Sequence, residues 1–292
     1  MIIDAHAHLW AKQQGRVNGG SVHDIGGGRS DFGGEIRQMM PPYMTDGVNS
    51  AERFLANMDY AGVSGSVITQ EYIDGNQDAY LRQCRAQYGQ RLRVCALYEE
   101  APMEDPEGFD GIKLCAGRLE NQNLLCHAAP FELANAHGKF ISIDLADGSA
   151  QTGALREIAQ QFPDLRIAIG HFGMVTRDGW LEQIRLAQLK NVFIESGGIT
   201  WLFHKEFYPY PSAVRAIREA ADLVGFDKLM WGSDYPRTMT AITYKMSLDF
   251  VQKTPELSEA DKALFLGENA RRFYAFPDLP IPPRVRNMVE DD

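Results

Sequence analysis

Short apolar or β-branched runs alternate along the chain with stretches whose apolar residues recur at helical spacing, the pattern of βα units wound around a parallel sheet. Strands are predicted at Ile2 to His6, Gly65 to Thr69, Arg93 to Tyr98, Gly111 to Leu114, Phe140 to Asp144, Arg166 to His171, Val192 to Ser196 and Lys228 to Asp234. Helical spacing fills the intervals at Ala51 to Tyr60, Gln77 to Tyr88, Ala128 to Ala136, Ala154 to Phe162, Trp180 to Leu189 and Ser212 to Leu223. A segment from Ala101 to Phe109 is the weakest helix, being short and broken by two prolines. Further helices are predicted from Ile242 to Lys253 and from Ser258 through Phe273. Eight such units favour one closed (β/α)8 TIM barrel over an open doubly wound sheet, and no GxGxxG follows the first strand.

Two segments break the rhythm. Residues 11–49 form an inserted loop after strand one, with eight glycines between Gly15 and Gly34. That is far longer than an ordinary βα connection, so the expectation is a lid or a disordered insertion. Residues 277–292 carry Pro277, Pro280, Pro282 and Pro283 and end acidic, which reads as an extended C-terminal tail that packs on a neighbour or stays mobile. The barrel is expected to occupy residues 1–276.

Composition narrows the partners. The chain of 292 residues is 45% apolar and 23% charged, ordinary for a globular protein with a large core, and its net charge is −10. That balance argues against nucleic acid or an anionic membrane surface as the main partner. Cys84, Cys95, Cys115 and Cys126 show no CxxC spacing, so reduced and mostly buried thiols are expected. With no basic leader and no apolar stretch long enough to span a bilayer, the expected location is cytoplasmic. There is neither a GxSxG elbow nor a P-loop.

The chemistry gathers at predicted strand ends. His6 and His8 lie two apart on strand one, so their side chains share a face and can chelate one metal at the barrel's C-terminal mouth. Strand six delivers His171 and strand eight delivers Asp234 to the same rim. Taken singly, each has a plainer reading: a chance histidine pair, a structural strand-end histidine, a turn aspartate. Four such groups on one rim favour a site.

The ordered set His6-Ala7-His8, Gly111-Ile112-Lys113-Leu114, Phe162-Pro163-Asp164-Leu165 leading to Gly170-His171-Phe172-Gly173, and Gly232-Ser233-Asp234-Tyr235-Pro236 resembles the amidohydrolase superfamily. It is most similar to the amidohydrolase-related branch that holds aminocarboxymuconate semialdehyde decarboxylase-like enzymes and sugar-acid or dicarboxylate lactonases. The resemblance covers roughly residues 1 to 275. It implies His6 and His8 as metal ligands, Asp234 as a ligand or the base next to the metal, and His171 as the catalytic or ligating imidazole. Decarboxylase-like members place a ligating histidine at the end of strand five, where this chain has Asp144. Asp144 is then a ligand that shifts preference toward harder ions, or a mark that the metal is weakly held or absent, as in metal-independent lactonases. The implied cofactor is a divalent ion, zinc first and manganese second.

Lys113 admits three roles: binding a substrate carboxylate, pairing with a neighbouring acid, or carboxylation to bridge two metals. Glu195 either supports the site from behind, binds a sugar hydroxyl, or forms a buried ion pair. Arg118 and Arg237 are substrate-binding candidates, because a guanidinium fork suits a carboxylate, with solvated loop arginines as the plain alternative. His23, Arg29 and Tyr43 of the glycine loop are weaker candidates for closing over a ligand. Trp201, His204 and Tyr208 form an aromatic wall or an oligomer contact, and the aromatics from Phe203 to Tyr210 point to association between copies. His127 and His137 are assigned no role.

The expected activity is metal-dependent hydrolysis, most plausibly opening of a lactone or ester of a small carboxylic or sugar acid by metal-activated water. The enzymatic alternative is non-oxidative decarboxylation of an aromatic or enoic acid at the same metal. A ligand-binding barrel without catalysis is the third reading.

Overall fold

The protein is described by a computed structural model covering residues 1–103, 106–286 and 288. Its strands are β1 Ile3–His8, β2 Gln14–Val17, β3 Gly20–Gly26, β4 Arg29–Phe32, β5 Ile36–Gln38, β6 Gly65–Thr69, β7 Leu92–Leu97, β8 Gly111–Leu114, β9 Phe140–Ile143, β10 Arg166–Ile169, β11 Val192–Glu195 and β12 Leu229–Met230. Eight of them form one parallel sheet in the order β1-β6-β7-β8-β9-β10-β11-β12. The seam is joined by main-chain bonds from Ala5 N–H to Trp231 C=O and from His8 N–H to Tyr235 C=O, both 2.8 Å. The fold is therefore a (β/α)8 barrel. The eighth strand is shorter than its sequence suggests because residues 231–235 leave regular pairing with β11 and bond to β1 instead.

Helices α1 Ala51–Ala61, α2 Asp78–Tyr88, α3 Ala128–Ala136, α4 Thr152–Gln161, α5 Trp180–Ile184, α6 Ile199–Leu202, α7 Pro211–Val224, α8 Met246–Gln252, α9 Glu259–Ala263 and α10 Asn269–Phe273 cover the outside. The longest, α7, starts on a proline, where a missing N–H costs nothing, and buries Ala213, Val214, Ala216, Ile217 and Ala220 along one stripe. Between α9 and α10 one turn widens to π geometry, and the Phe265 carbonyl there accepts the Trp231 N–H at 2.8 Å. The helix expected at 101–109 is absent among its described residues; residues 104 and 105 lie outside them.

Apolar positions on alternate sides of the strands feed two cores. Ile68, Val94, Ile112, Ile141, Ile167 and Ile194 pack against the helices. Ile3, Ala5, Val67, Cys95, Ala168 and Met230 join Phe273, Tyr274, Phe276 and Leu279 on the other side. The segment after α10 thus contributes to the core as far as Leu279, whereas Ile281 and Val285 are exposed; residues 287 and 289–292 of the expected tail lie outside the described residues.

The insertion is neither a bare loop nor disordered. Strands β2 to β5 make a four-stranded antiparallel sheet. Its first hairpin turns on Asn18-Gly19, both with positive φ (48° and 77°), the geometry of a two-residue hairpin loop matched to strand twist. Strand β2 is tied to the barrel by Gln14 N–H to Asp74 C=O at 3.2 Å and Arg16 N–H to Tyr72 C=O at 2.8 Å. All four cysteines are free thiols, three of them buried. No helix among the described residues is long and apolar enough to cross a membrane.

Candidate active site

At the C-terminal end of β1, the register against β6 shifts between Asp4 and Ala7, and beyond it His6 and His8 stand on one face. Their Nε2 atoms are 3.0 Å apart. Asp234 enters from the far side, its Oδ1 3.0 Å from His8 Nε2 and 3.8 Å from His6 Nε2. All three residues are buried. Two glycines make the approach feasible: a Cβ on Gly197 would lie 2.7 Å from the His6 ring, and one on Gly232 would lie 2.8 Å from His6 Cβ.

Each imidazole is held from behind by a carboxylate. His6 Nδ1 faces Glu195 Oε1 at 2.6 Å, and His8 Nδ1 faces Asp74 Oδ2 at 3.1 Å. The Glu195 carboxylate fixes the hydrogen of His6 on Nδ1 and leaves its Nε2 as a lone pair, while Asp74 is an ion-pair partner of His8 without an aligned hydrogen bond. Two ring nitrogens and one carboxylate oxygen thus converge on one point. Burial and the Arg237 charge push the His8 pKa down, but Asp234 and Asp74 outweigh them and raise it, whereas burial lowers that of His6 despite Glu195. The spacing also suits a metal ion, since donors about 2.1 Å from a tetrahedral centre sit about 3.4 Å apart. His6, His8 and Asp234 form one donor group of this kind among the described residues.

His171 and Asp144 flank this group. Asp144 Oδ2 lies 2.6 Å from Lys113 Nζ and 3.6 Å from His171 Nε2. His171 Nδ1 donates to the Gly197 carbonyl at 2.9 Å, and its ring lies 4.7 Å from that of His6, centroid to centroid. Burial opposes charge on His171, yet Asp144 lifts its pKa to about 10. Burial likewise raises the Asp144 carboxyl, but Lys113 and His171 hold it well below the usual carboxylate range. Both His171 (φ 51°) and Asp234 (φ 57°) occupy the left-handed region, strain that side chains other than glycine accept only where the surroundings impose it.

Over these residues opens a cavity of about 360 Å³, lined by Glu71, Arg118, Asp144, His171, Trp201, Asp234 and Arg237 among others. Arg237 bridges Asp74 at 2.7 Å, Glu71 at 3.4 Å and Asp234 at 3.5 Å, while Arg118 approaches Glu71 at 3.8 Å and remains partly exposed. Trp201 Nε1 donates to Asp234 Oδ2 at 2.6 Å.

The structure thus brings His6, His8, Asp234 and His171 together, with Glu195 behind His6 and away from solvent. Lys113 is wholly buried against Asp144, and it also reaches Ser142 Oγ at 3.5 Å. Asp144 is not in that donor group; among the described residues it belongs to a second one with Glu71 and His171. His23, Arg29 and Tyr43 are exposed on the inserted sheet or beyond it, and none lines the cavity. His127 bonds Tyr98 and the Asn121 carbonyl, and His204 is exposed. Glu71, Asp74 and the Trp201 N–H contact were not singled out by sequence reasoning. The acids follow the second barrel strand in Gln70-Glu71-Tyr72-Ile73-Asp74, and that position at the catalytic face was the available signal.

Comparison with known proteins places the fold. A crystal structure from Acinetobacter baumannii, described as a probable 2-pyrone-4,6-dicarboxylic acid hydrolase with citric acid bound, superposes with TM-score 0.68 at 18% identity over 94% of this chain and 99% of that one. An amidohydrolase from Burkholderia multivorans with bound zinc gives TM-score 0.68 at 16% identity over 95% and 100%. A 5-carboxyvanillate decarboxylase from Novosphingobium aromaticivorans, complexed with manganese and 4-hydroxy-3-methoxy-5-nitrobenzoic acid, gives 0.54 at 17% over 77% and 80%. Among curated sequences, an uncharacterised protein y4mH of Sinorhizobium fredii is 28% identical over 145 residues, which is 46% of this chain, and the match spans about half, 47%, of that relative. The family model Amidohydro_2, described as amidohydrolase, matches residues 3–276, and with nearly the whole barrel inside that match the chain belongs to the amidohydrolase 2 family.

Proposed function

We propose that this protein is a metal-dependent hydrolase that opens a lactone or ester of a small carboxylic or sugar acid. The observation that carries this reading is the convergence of His6 Nε2, His8 Nε2 and Asp234 Oδ1 at 3.0–3.8 Å beneath a cavity, with both imidazoles backed by carboxylates. These three residues would hold one divalent cation, whose Lewis acidity when bound polarises an acyl oxygen and acidifies water. Neighbours crystallised with zinc or manganese support a divalent ion in this fold.

The chain's own groups divide the remaining work. Asp234, a buried carboxylate beside the cation site, accepts the proton of the attacking water. His171, hydrogen-bonded at Nδ1 to the main chain, keeps Nε2 at the cavity wall beside Asp144, where it holds a proton for the developing oxyanion or the leaving oxygen. Arg118, the more exposed of the two arginines, anchors an acidic tail, while Arg237 keeps Asp74 and Asp234 in place. Lys113 neutralises Asp144.

The test is a panel of lactones and esters of sugar acids and aromatic carboxylic acids, run on zinc- and manganese-loaded protein beside His8→Ala and Asp234→Asn. Hydrolysis lost by more than a hundredfold in both variants is expected. Carbon dioxide release from aromatic or enoic acids without hydrolysis would transfer the assignment to decarboxylation, and no turnover of either kind would favour a binding role.

A further inference from the structure

We infer that Trp201 is a positioning residue, whose indole N–H holds one oxygen of Asp234 so that only the other faces His6 and His8. The inference rests on the metal-site reading above. Asp234 Oδ2 accepts the indole N–H at 2.6 Å, and Oδ1 is the oxygen 3.0 Å from His8 Nε2 and 3.8 Å from His6 Nε2. The main chain of Asp234 is fixed independently, its N–H bonded to the His6 carbonyl at 2.8 Å. Rotation of the side chain is the freedom that remains, and the indole on Oδ2 restricts it together with Arg237 Nη1, which lies 3.5 Å from Oδ1. A carboxylate lacking that donor would be free to offer both oxygens to a cation.

The indole is itself held in place. Gly198, with φ 70°, opens α6, and a side chain at that position would collide with the Trp201 ring. Thr200 and Thr238 share a hydroxyl hydrogen bond of 2.7 Å that ties α6 to the turn after Asp234 without involving either partner. Trp201 packs in part against the core, but it also lines the cavity and stands edge-on to His171 at 5.8 Å. A tryptophan serving only as a wall has no need to aim its N–H at a buried carboxylate.

The experiment titrates zinc alone, and cobalt(II) in parallel, into metal-free full-length wild type, Trp201→Phe and Trp180→Phe, with affinity read by chelator competition. Loss of an outer hydrogen-bond partner of a ligand predicts zinc affinity about 10–100-fold weaker in W201F. W180F, whose indole stacks on Phe172 away from Asp234, should match wild type. The cobalt visible bands should change intensity in W201F as Asp234 turns both oxygens to the ion. W201M repeats the test should W201F not fold. Wild-type protein that binds neither ion overturns the metal reading itself. Wild type that binds, with both Trp201 variants within twofold of it and unchanged cobalt spectra, overturns the Trp201 inference alone.

Discussion

Replacing Lys113 by methionine should destabilise the protein through the acid it leaves behind. Lys113 Nζ is wholly buried and sits 2.6 Å from Asp144 Oδ2. Methionine fills nearly the same volume, so the loss is chiefly electrostatic. Removing one partner of a buried pair typically costs about 3–5 kcal/mol. Asp144 borders the cavity and keeps His171 at 3.6 Å, so the lower end, about 3 kcal/mol, is expected. Asp144→Asn alone leaves the ammonium with Ser142 Oγ at 3.5 Å and the charge of Glu195, and should cost a comparable amount. The double variant K113M/D144N removes both charges and should recover part of the loss, with a coupling of about 2 kcal/mol. Urea denaturation of the metal-free proteins at constant m-value measures all four states. K113M within about 0.5 kcal/mol of wild type, or a double variant equal to the sum of the singles, would refute the ion pair. Lys113 would then return to the anion-binding or carboxylated roles that its sequence position allows.

Three further outcomes follow from the same geometry. Gly197→Ala places a methyl 2.7 Å from the His6 ring and 2.9 Å from Glu195 Oε2, so overpacking of about 1–3 kcal/mol is expected on denaturation, together with zinc affinity at least tenfold weaker by chelator competition. His171, raised from an ordinary 6.5 to about 10 with Asp144 as the main partner, contributes stability that is fully present below pH 6.5 and is lost as pH rises toward 10. Histidine NMR titration of metal-free D144N should move this pKa back toward 6.5, and an unchanged titration would remove Asp144 as its cause. Zinc at a hundred times its Kd should stabilise wild type by about 2.7 kcal/mol in thermal unfolding, and a chelator should abolish that shift.

Much of this was legible before any coordinates. A His-x-His on a strand must present both rings to one face, and strand ends in a barrel converge, so His6, His8, His171 and Asp234 could be gathered from periodicity alone. The inserted sheet was hidden because its glycines suggest flexibility, although the Asn18-Gly19 pair between Val17 and Gly20 is a hairpin signal in its own right. The partners of the site residues were less accessible. That Lys113 meets Asp144 depends on β8 and β9 pairing Lys113 opposite Ser142, a register that sequence does not print. Asp74 and Trp201 act from loops whose course is set by contacts elsewhere: Asp74 by the bond to Gln14 in the insertion, Trp201 by the left-handed turn at Gly198. Side chains that work by orienting another residue carry no spacing pattern of their own.

Elemental analysis of wild type and His8→Ala after equilibration with zinc and removal of free ion tests the central claim most directly. One zinc per chain in wild type, and a small fraction of that in H8A with its fold intact by circular dichroism, is the predicted result. Wild type that retains no ion, or H8A that retains the full complement, would contradict the assignment of His6, His8 and Asp234 as a metal centre.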